Sequence, residues 1–354
     1  MADPTNTAWR KPRKGSDAAV RTLRCPHPVP PRRRCELCDP DQSVFVACSA
    51  ACVDRHRRED HAPAADAGAG TAASVLHKAA TLNLSRAGGD VYQHHRARLL
   101  RLLRAVQRGE GICVLGAGNC DDLDLPALVR DFGQVHLVDL DGDALAQAIA
   151  RAPAAIRARL IPHGRLDLSG SIAEIDAWGE RFPSDDELAR FARAASQRLC
   201  ESIVGSSGAT FDVAVSASLL SQLYLPVRET LLLGLPDWQK LFTAIERAHL
   251  LTIAGLTRPG GTGVLALDVV SSHKLPELAA FADPESWEGL GAALTAVLTS
   301  RQIPLSPDPQ RLLNLLGQAP LGTLVERPRL TEPWTWNMGD GVHALVYGLL
   351  FSRV

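Results

Sequence analysis

The chain lacks a charge bias: its 354 residues hold 38 Lys and Arg against 39 Asp and Glu, a formal net charge of −1. No chain-wide field therefore draws it toward nucleic acid. It lacks an uninterrupted apolar run of the ~18 residues that a membrane span requires, so no span is expected. It lacks an apolar h-region behind Met1, so no secretory leader is expected and the setting read from the sequence is cytoplasmic. It also lacks the interleaving of aromatic and basic residues that marks a single-stranded nucleic-acid surface. What remains is the composition of a globular chain, 46% hydrophobic and 22% charged, with an ample core.

Charge and cysteine are nevertheless unevenly placed. Arg10, Lys11, Arg13, Lys14, Arg21, Arg24 and Arg32 to Arg34 crowd the stretch before Cys35, against Asp3 and Asp17. Residues 1–24 show no periodicity and read as a disordered basic arm, foremost a solvated tail and otherwise a contact for nucleic acid or an acidic partner. Five of the eight cysteines lie between Cys25 and Cys52, and the others, Cys113, Cys120 and Cys200, are scattered. In a reducing compartment such a cluster reads as metal-binding rather than disulfide-bonded.

The cluster runs Cys25-Pro-His27, Cys35-Glu-Leu-Cys38, Cys48-Ser-Ala-Ala-Cys52, His56 and His61. Cys35 and Cys38 have knuckle spacing, Ser43 to Ala47 is a short β-like run, and Cys48 and Cys52 would share one helix face. Four thiolates satisfy tetrahedral zinc, so Cys35, Cys38, Cys48 and Cys52 are the simplest ligand set. A second site can be drawn from Cys25, His27, His56 and His61, and a cross-braced pair would mix the groupings. From Cys48 to His61 the segment resembles treble-clef fingers of the MYND and HIT type. It departs from them in its opening Cys-x-His and in ending on two histidines. Metal would supply the folding energy that so small a segment lacks. The expected organisation is thus an arm (1–24), a finger (25–61), an Ala/Gly-rich linker (62–84) and one large domain (85–354).

That domain is organised around Ile112 to Leu145. A short apolar run, Ile112 to Leu115, reads as a buried strand, and Gly116-Ala117-Gly118-Asn119-Cys120-Asp121 as a glycine turn. Leu125, Leu128, Val129 and Phe132 have helical spacing, Gly133 ends the helix, and Val135 to Leu140 is a second strand carrying Asp139. Glycines let the backbone turn tightly and approach a ligand, and an acid at the spacing of Asp139 meets ribose hydroxyls. Two ligand classes use this geometry, dinucleotides and S-adenosylmethionine. The dinucleotide pattern would end on glycine where Asp121 stands, and a carboxylate there opposes a pyrophosphate. A cationic sulfonium and ammonium suit the acidic turn of Asp121, Asp122 and Asp124 better.

Around this unit the expected elements are helices at 75–84 and 90–106, a helix at 144–152 ended by Pro153, and a third strand at 160–168. Asp167 reads equally as an adenine contact or as an N-cap. Ser184-Asp185-Asp186-Glu187 has capping-box spacing ahead of a helix body at 188–203. Val213 to Val215 is a buried strand, with Ser216, Ser218, Ser221 and Gln222 at and beyond its end, where ligands sit in open parallel sheets. A long helix at 238–256, a sharp turn at Arg258-Pro-Gly-Gly and a strand at 264–270 follow. After them come an inserted stretch at 271–315, a strand interrupted between 323–325 and 334–337, and a closing strand at 343–353. Tyr92 and Arg96 read either as basic-face and core positions or as part of a lid helix. Trp334 and Trp336 read as core or as a stacking wall.

The ordered series VLGAGN, HLVDLD, RLDL, FDVAVSASLLSQL and RPGGTGVLALD, with the closing strand pair, resembles the class I S-adenosylmethionine-dependent methyltransferases over roughly residues 85–354. The resemblance implies an α/β fold with a seven-stranded, mostly parallel sheet, helices on both faces and an antiparallel last strand. It places Gly116, Gly118, Asn119 and Asp121 at the methionine part of the cofactor and Asp139 and Leu140 at the ribose. Asp167 and Leu168 fall at the adenine and Ser216 at the methyl-donor floor. Val114 and Cys120 depart from the usual acid and third glycine. The fourth strand lacks the Pro-Pro pattern of base amino-methylating enzymes, so a small molecule or protein is the expected acceptor. Methyl transfer needs alignment and desolvation more than a covalent catalyst. Should the acceptor carry a proton, the candidates are His163, His343, Tyr92 and, as an orienter, Gln222. The finger would recruit a substrate or protein partner. A methyltransferase-like binding protein without turnover and a nicotinamide-dependent oxidoreductase stand as alternatives.

Overall fold

The computed structural model describes residues 21–24, 33–34, 43–47 and 89–354, the last span without 107–108, 175–177, 179–180, 225–226, 228–237, 282–286, 302 and 304. The chain divides into two compact units, 1–69 and 70–354. In the first, β1 (Arg21–Arg24), β2 (Arg33–Arg34) and β3 (Ser43–Ala47) form a sheet ordered β1-β3-β2. β1 uses the last four residues of the stretch read as a basic arm, and β3 is the expected β-like run. The proposed zinc ligands Cys25, His27, Cys35, Cys38, Cys48, Cys52, His56 and His61 lie outside the described residues, as do the expected linker and the helix at 75–84.

In the second unit a 3-10 turn (Gly89–Tyr92) leads into α1 (Gln93–Val106), followed by β4 (Gly111–Leu115), α2 (Leu125–Phe132) and β5 (Gln134–Asp139). Next come α3 (Gly142–Arg151), α4 (Ala154–Arg157), β6 (Leu160–Gly164), α5 (Asp185–Ser207), β7 (Phe211–Ala217), α6 (Trp238–Leu256) and β8 (Thr257–Ser271). The chain finishes with α7 (Leu290–Arg301), α8 (Pro309–Leu316), β9 (Val325–Leu330), β10 (Trp334–Gly339) and β11 (Val342–Arg353). Local chemistry explains the boundaries. Asp124 caps α2 by accepting from Ala127 N (3.0 Å), and Gly133 ends it at φ 72°. Ser184 and Glu187 form the complete capping box of α5, which Gly208 ends in the left-handed region. Pro153 stops α3 and opens the short α4.

The strands lie in the order β10-β11-β8-β7-β4-β5-β6. β8, β7, β4, β5 and β6 are mutually parallel, and β11 is antiparallel to β8. The sheet has eight strands where seven were expected, because β9 and β10 share one position along β11. β9 pairs with 349–353 and β10 with 342–346, and residues 331–333 break the line between them. This is the interrupted strand expected from the sequence, although Thr323 belongs to a 3-10 turn ahead of it. β6 is the outer edge and tolerates Pro162, which cannot donate to a ladder. β6 also ends earlier than expected, at Gly164, where Arg165 takes φ 64°. The turn expected at Arg258–Gly261 is a bulge inside a longer strand. Phe211 pairs with Thr257 and Val213 with Thr262, so three extra β8 residues loop out through Gly260 at φ 74°.

Two apolar layers cover the sheet. One gathers Leu99, Leu128, Phe132 and Leu145 from α1, α2 and α3, and the other gathers Leu199, Ile203, Ile245, Leu294 and Leu312 from α5 to α8. Trp334 and Trp336 both face α1. His95 stacks on Trp336 at 4.4 Å between centroids, Trp334 Nε1 donates to His95 Nδ1 (3.1 Å), and Tyr92 meets Trp336 edge-on. The two tryptophans are core, as their alternation allowed. Cys113 and Cys120 are buried free thiols and Cys200 is half-buried. No helix among the described residues is long and apolar enough to cross a membrane.

Candidate functional site

The carboxyl ends of β4 and β5 meet at one corner. Gly116 N and Ala117 N both donate to Val138 O (2.9 and 3.1 Å), which turns the chain back across β5. Gly116 has φ 77° and Gly118 φ 49°. A Cβ on Gly116 would sit 2.7 Å from Leu219 Cβ, so the segment after β7 closes over the turn only because glycine is there. Cys120, at the place of the third glycine, holds φ 60° and is buried. It adopts a conformation that glycine enters without strain.

Asp139 is buried at this corner, and its carboxylate is fed by backbone amides. Oδ2 accepts from Gly118 N (2.8 Å) and Oδ1 from Asp141 N (2.9 Å). Burial pushes its pKa up, opposed by the amides of Asp141, Gly118 and Leu140. A carboxylate offers about four acceptor positions, so this one retains capacity for further donors such as vicinal hydroxyls. Leu140 is half-buried beside it.

Asn119 and Asp121 form the outer lip. Asn119 Nδ2 donates to Asp121 Oδ2 (2.8 Å), and Arg151 lies 3.8 Å from Asp121 Oδ1 while donating to Asn119 O (3.0 Å). Arg96 on α1 donates to Asp121 O (2.7 Å), which ties the expected lid helix to the glycine turn. Arg151 was not singled out from the sequence, and nothing local to it signals this role; its reach across to the turn is purely tertiary.

The remaining candidates divide. Leu166 N donates to Asp139 O (3.3 Å), bringing the segment after β6 to the same corner. There Asp167 acts as a turn cap, accepting from Ser169 N (3.0 Å), Ser169 Oγ (2.6 Å) and Ile172 N (2.9 Å). Leu168 is buried in the core layer behind it. Ser216 is fully buried and pairs with His249 Nε2 on α6 (2.8 Å), so its side chain faces that helix. Burial lowers the His249 pKa to about 3 and keeps that ring neutral. Gln222 donates to Ser218 O (3.1 Å), and Ser221 donates to Asp268 (2.9 Å). Tyr92 belongs to the tryptophan core. His163 packs between His136 (2.9 Å) and Ser206 (3.1 Å), which fixes it under α5. His343 differs from these. It begins β11 beside the carboxyl end of β8, donates its backbone N–H to Ser272 Oγ (3.0 Å), and keeps a buried Nδ1 without a partner among the described residues. No group of three His, Cys, Asp or Glu among the described residues is placed to hold a metal ion.

No family model and no curated protein matches this chain. Solved structures similar to it include one concerning conversion of a disulfide bond into a thioacetal group during echinomycin biosynthesis, at 13% identity and TM-score 0.37, with 76% of this chain and 86% of that chain covered. The methyltransferase domain of bacterial CtHen1 is similar at 13% identity and TM-score 0.36, with 74% of this chain and all of that one covered. A putative RNA methyltransferase from Pyrococcus horikoshii is similar at 13% identity and TM-score 0.34, covering 79% and 99%. Likenesses this distant carry no argument; the α/β architecture stands on the strand order and pairing of this chain.

Proposed function

We propose that this chain binds S-adenosylmethionine at the Gly116–Asp139 corner and transfers its methyl group to a small-molecule or protein acceptor. The observation that carries the reading is Asp139, a buried carboxylate supported by amides and open to further donors, at the carboxyl end of a strand next to a glycine turn. The donor set fits the ligand. Gly116, Gly118, Asn119 and Asp121 would border its amino-acid end, Asp139 and Leu140 its ribose, and the turn of Asp167 and Leu168 its base. S-adenosylmethionine supplies an activated methyl group on a cationic sulfur. This chain's residues orient it and exclude water, and Arg96 holds α1 against the turn. We assign to His343, whose buried Nδ1 has no partner among the described residues, the taking of a proton from an acceptor.

Isothermal titration with S-adenosylmethionine, with NADH as the control, tests the reading. Binding of the former alone is the expected result; binding of NADH alone overturns the proposal and supports an oxidoreductase. A second reading, a binding protein without turnover, draws support from Cys120, whose buried side chain occupies a glycine position in the turn. Transfer of labelled methyl groups into cell extract separates the two. The spacing of Cys35, Cys38, Cys48 and Cys52 supports one zinc ion in the N-terminal unit, with Cys25, His27, His56 and His61 as a second set. That unit would recruit the acceptor or a protein partner. Metal content measured on the purified chain tests it, and a chain purified without zinc that takes up none would end that part of the proposal.

A further inference from the structure

A cavity opens at the break in the outer strand. Its volume is about 920 Å³, and it lies between α1 and α7 at the gap between β9 and β10, on the outer edge of the sheet. Arg98 and Arg101 line one wall, Trp287 and Gly291 the other, and Glu332 and Tyr347 the floor. Three features distinguish this cavity from a surface dent. First, two guanidiniums share it without an ion pair to either of them among the described residues; Arg98 donates only to the backbone oxygen of Glu332 (3.3 Å) and lies 5.7 Å from the Trp334 ring. Burial and the neighbouring Arg101 both push the Arg98 pKa down, with Glu332 opposing. Second, the carboxylates in the lining, Glu288 and Glu332, do not neutralise the arginines by direct contact: Glu332 Oε2 sits at the opposite wall, 3.6 Å from the place a Cβ on Gly291 would take, and among the described residues neither carboxylate forms an ion pair with Arg98 or Arg101. Third, Trp287 is held rigid, its Nε1 donating to Thr335 Oγ1 (2.9 Å) and Phe281 O (3.1 Å), so that its ring forms a fixed wall.

Like charges brought together, one of them partly buried, are relieved by an anion, and arginine forks match the planar oxygens of carboxylate or phosphate. We propose that this edge cavity binds a small organic anion, a carboxylate or phosphate ester on an aromatic body. Arg98 and Arg101 hold the charge, and Trp287 and Tyr347 flank the ring. The site is separate from the Gly116–Asp139 corner and does not depend on the cofactor reading.

Titration of the full chain, without cofactor, with benzoate and with phenyl phosphate tests it, the two probes separating carboxylate from phosphoryl preference. The expected result is binding of at least one probe, weakened about tenfold by Arg98→Ala and by Arg101→Gln, the loss of about 1.4 kcal/mol that a charge-assisted contact represents. Arg101 is exposed, so Arg101→Gln keeps the fold, with circular dichroism as the check. Absence of binding by both probes at millimolar concentration, or binding that neither variant weakens, would overturn the proposal.

Discussion

Two buried carboxylates, at two corners of the same domain, are held in opposite ways. Glu246 on α6 is fully buried and closed off by its own chain. Tyr224 Oη donates to it (2.5 Å), Arg311 Nε donates at 3.0 Å and a second Arg311 nitrogen completes the fork. Asp139 receives amides alone and, among the described residues, no cation. Burial raises both pKa values, but only at Glu246 do an arginine and a phenol oppose it. A buried charge matched by side chains holds elements together: here α6, α8 and the turn after β7. A buried charge left with unused lone pairs at a strand end suits the ligand proposed for that corner.

The largest expected effect breaks the closed corner. Glu246→Ala leaves Arg311 and Tyr224 without their partner and costs about 3 kcal/mol in denaturant unfolding, the lower end of what breaking a buried pair costs because water reaches the half-buried Arg311. Affinity for S-adenosylmethionine should not change; a parallel loss would mean that the two corners are one unit. Gly116→Ala strains the open corner directly. Positive φ and the 2.7 Å approach to Leu219 combine to cost about 2–3 kcal/mol, read as a lower unfolding midpoint.

A pH titration comes next. Burial lowers the pKa of His136 to about 4, with His163 adding to the shift, and lowers that of His249 to about 3. The unfolded chain takes up these protons near pH 6.5, whereas the folded chain does not, so the stability they confer is complete above pH 6.5. It is lost progressively as pH falls below 6.5, down to about 4 for His136 and about 3 for His249, on the order of 2 kcal/mol or more in total. Asp139 and Glu246, with raised values, run the other way and soften the loss. Unfolding midpoints that stay flat between pH 7 and pH 4 would contradict this. The smallest effect sharpens the comparison most: Asp139→Asn should weaken S-adenosylmethionine about tenfold, near 1.4 kcal/mol, and lower stability by about 1 kcal/mol, because the amide NH2 replaces one of the two oxygens that accept from Gly118 N and Asp141 N.

The succession of strands and helices along the chain was legible because each apolar run was bounded by a glycine, proline or cap. Ile112 to Leu115 and the Ser184–Glu187 box needed no tertiary knowledge. The Arg258–Gly261 stretch misled because a Pro-Gly-Gly pinch reads alike as a turn or as a bulge, and only pairing with Phe211 and Val213 decides. The meeting of Gly118 and Asp139 at one corner was readable from spacing. Ser216 and His163 were not, because alternation along a strand does not say which face a partner helix covers. His249 and Ser206 claim them from α6 and α5. Arg151 and the pairing of Arg98 with Arg101 at a strand break depend on contacts distant in sequence and left no local trace.

The burial of Cys113 and Cys120 has a practical consequence. Desolvation holds both thiols far on the protonated side, and it raises that of Cys200 to about 11. An alkylating reagent applied to the native chain at neutral pH will therefore leave all three unlabelled. Counting modified cysteines by mass spectrometry then reports on the five N-terminal thiols alone, a built-in gauge, before and after chelation, of whether they hold the proposed zinc ion.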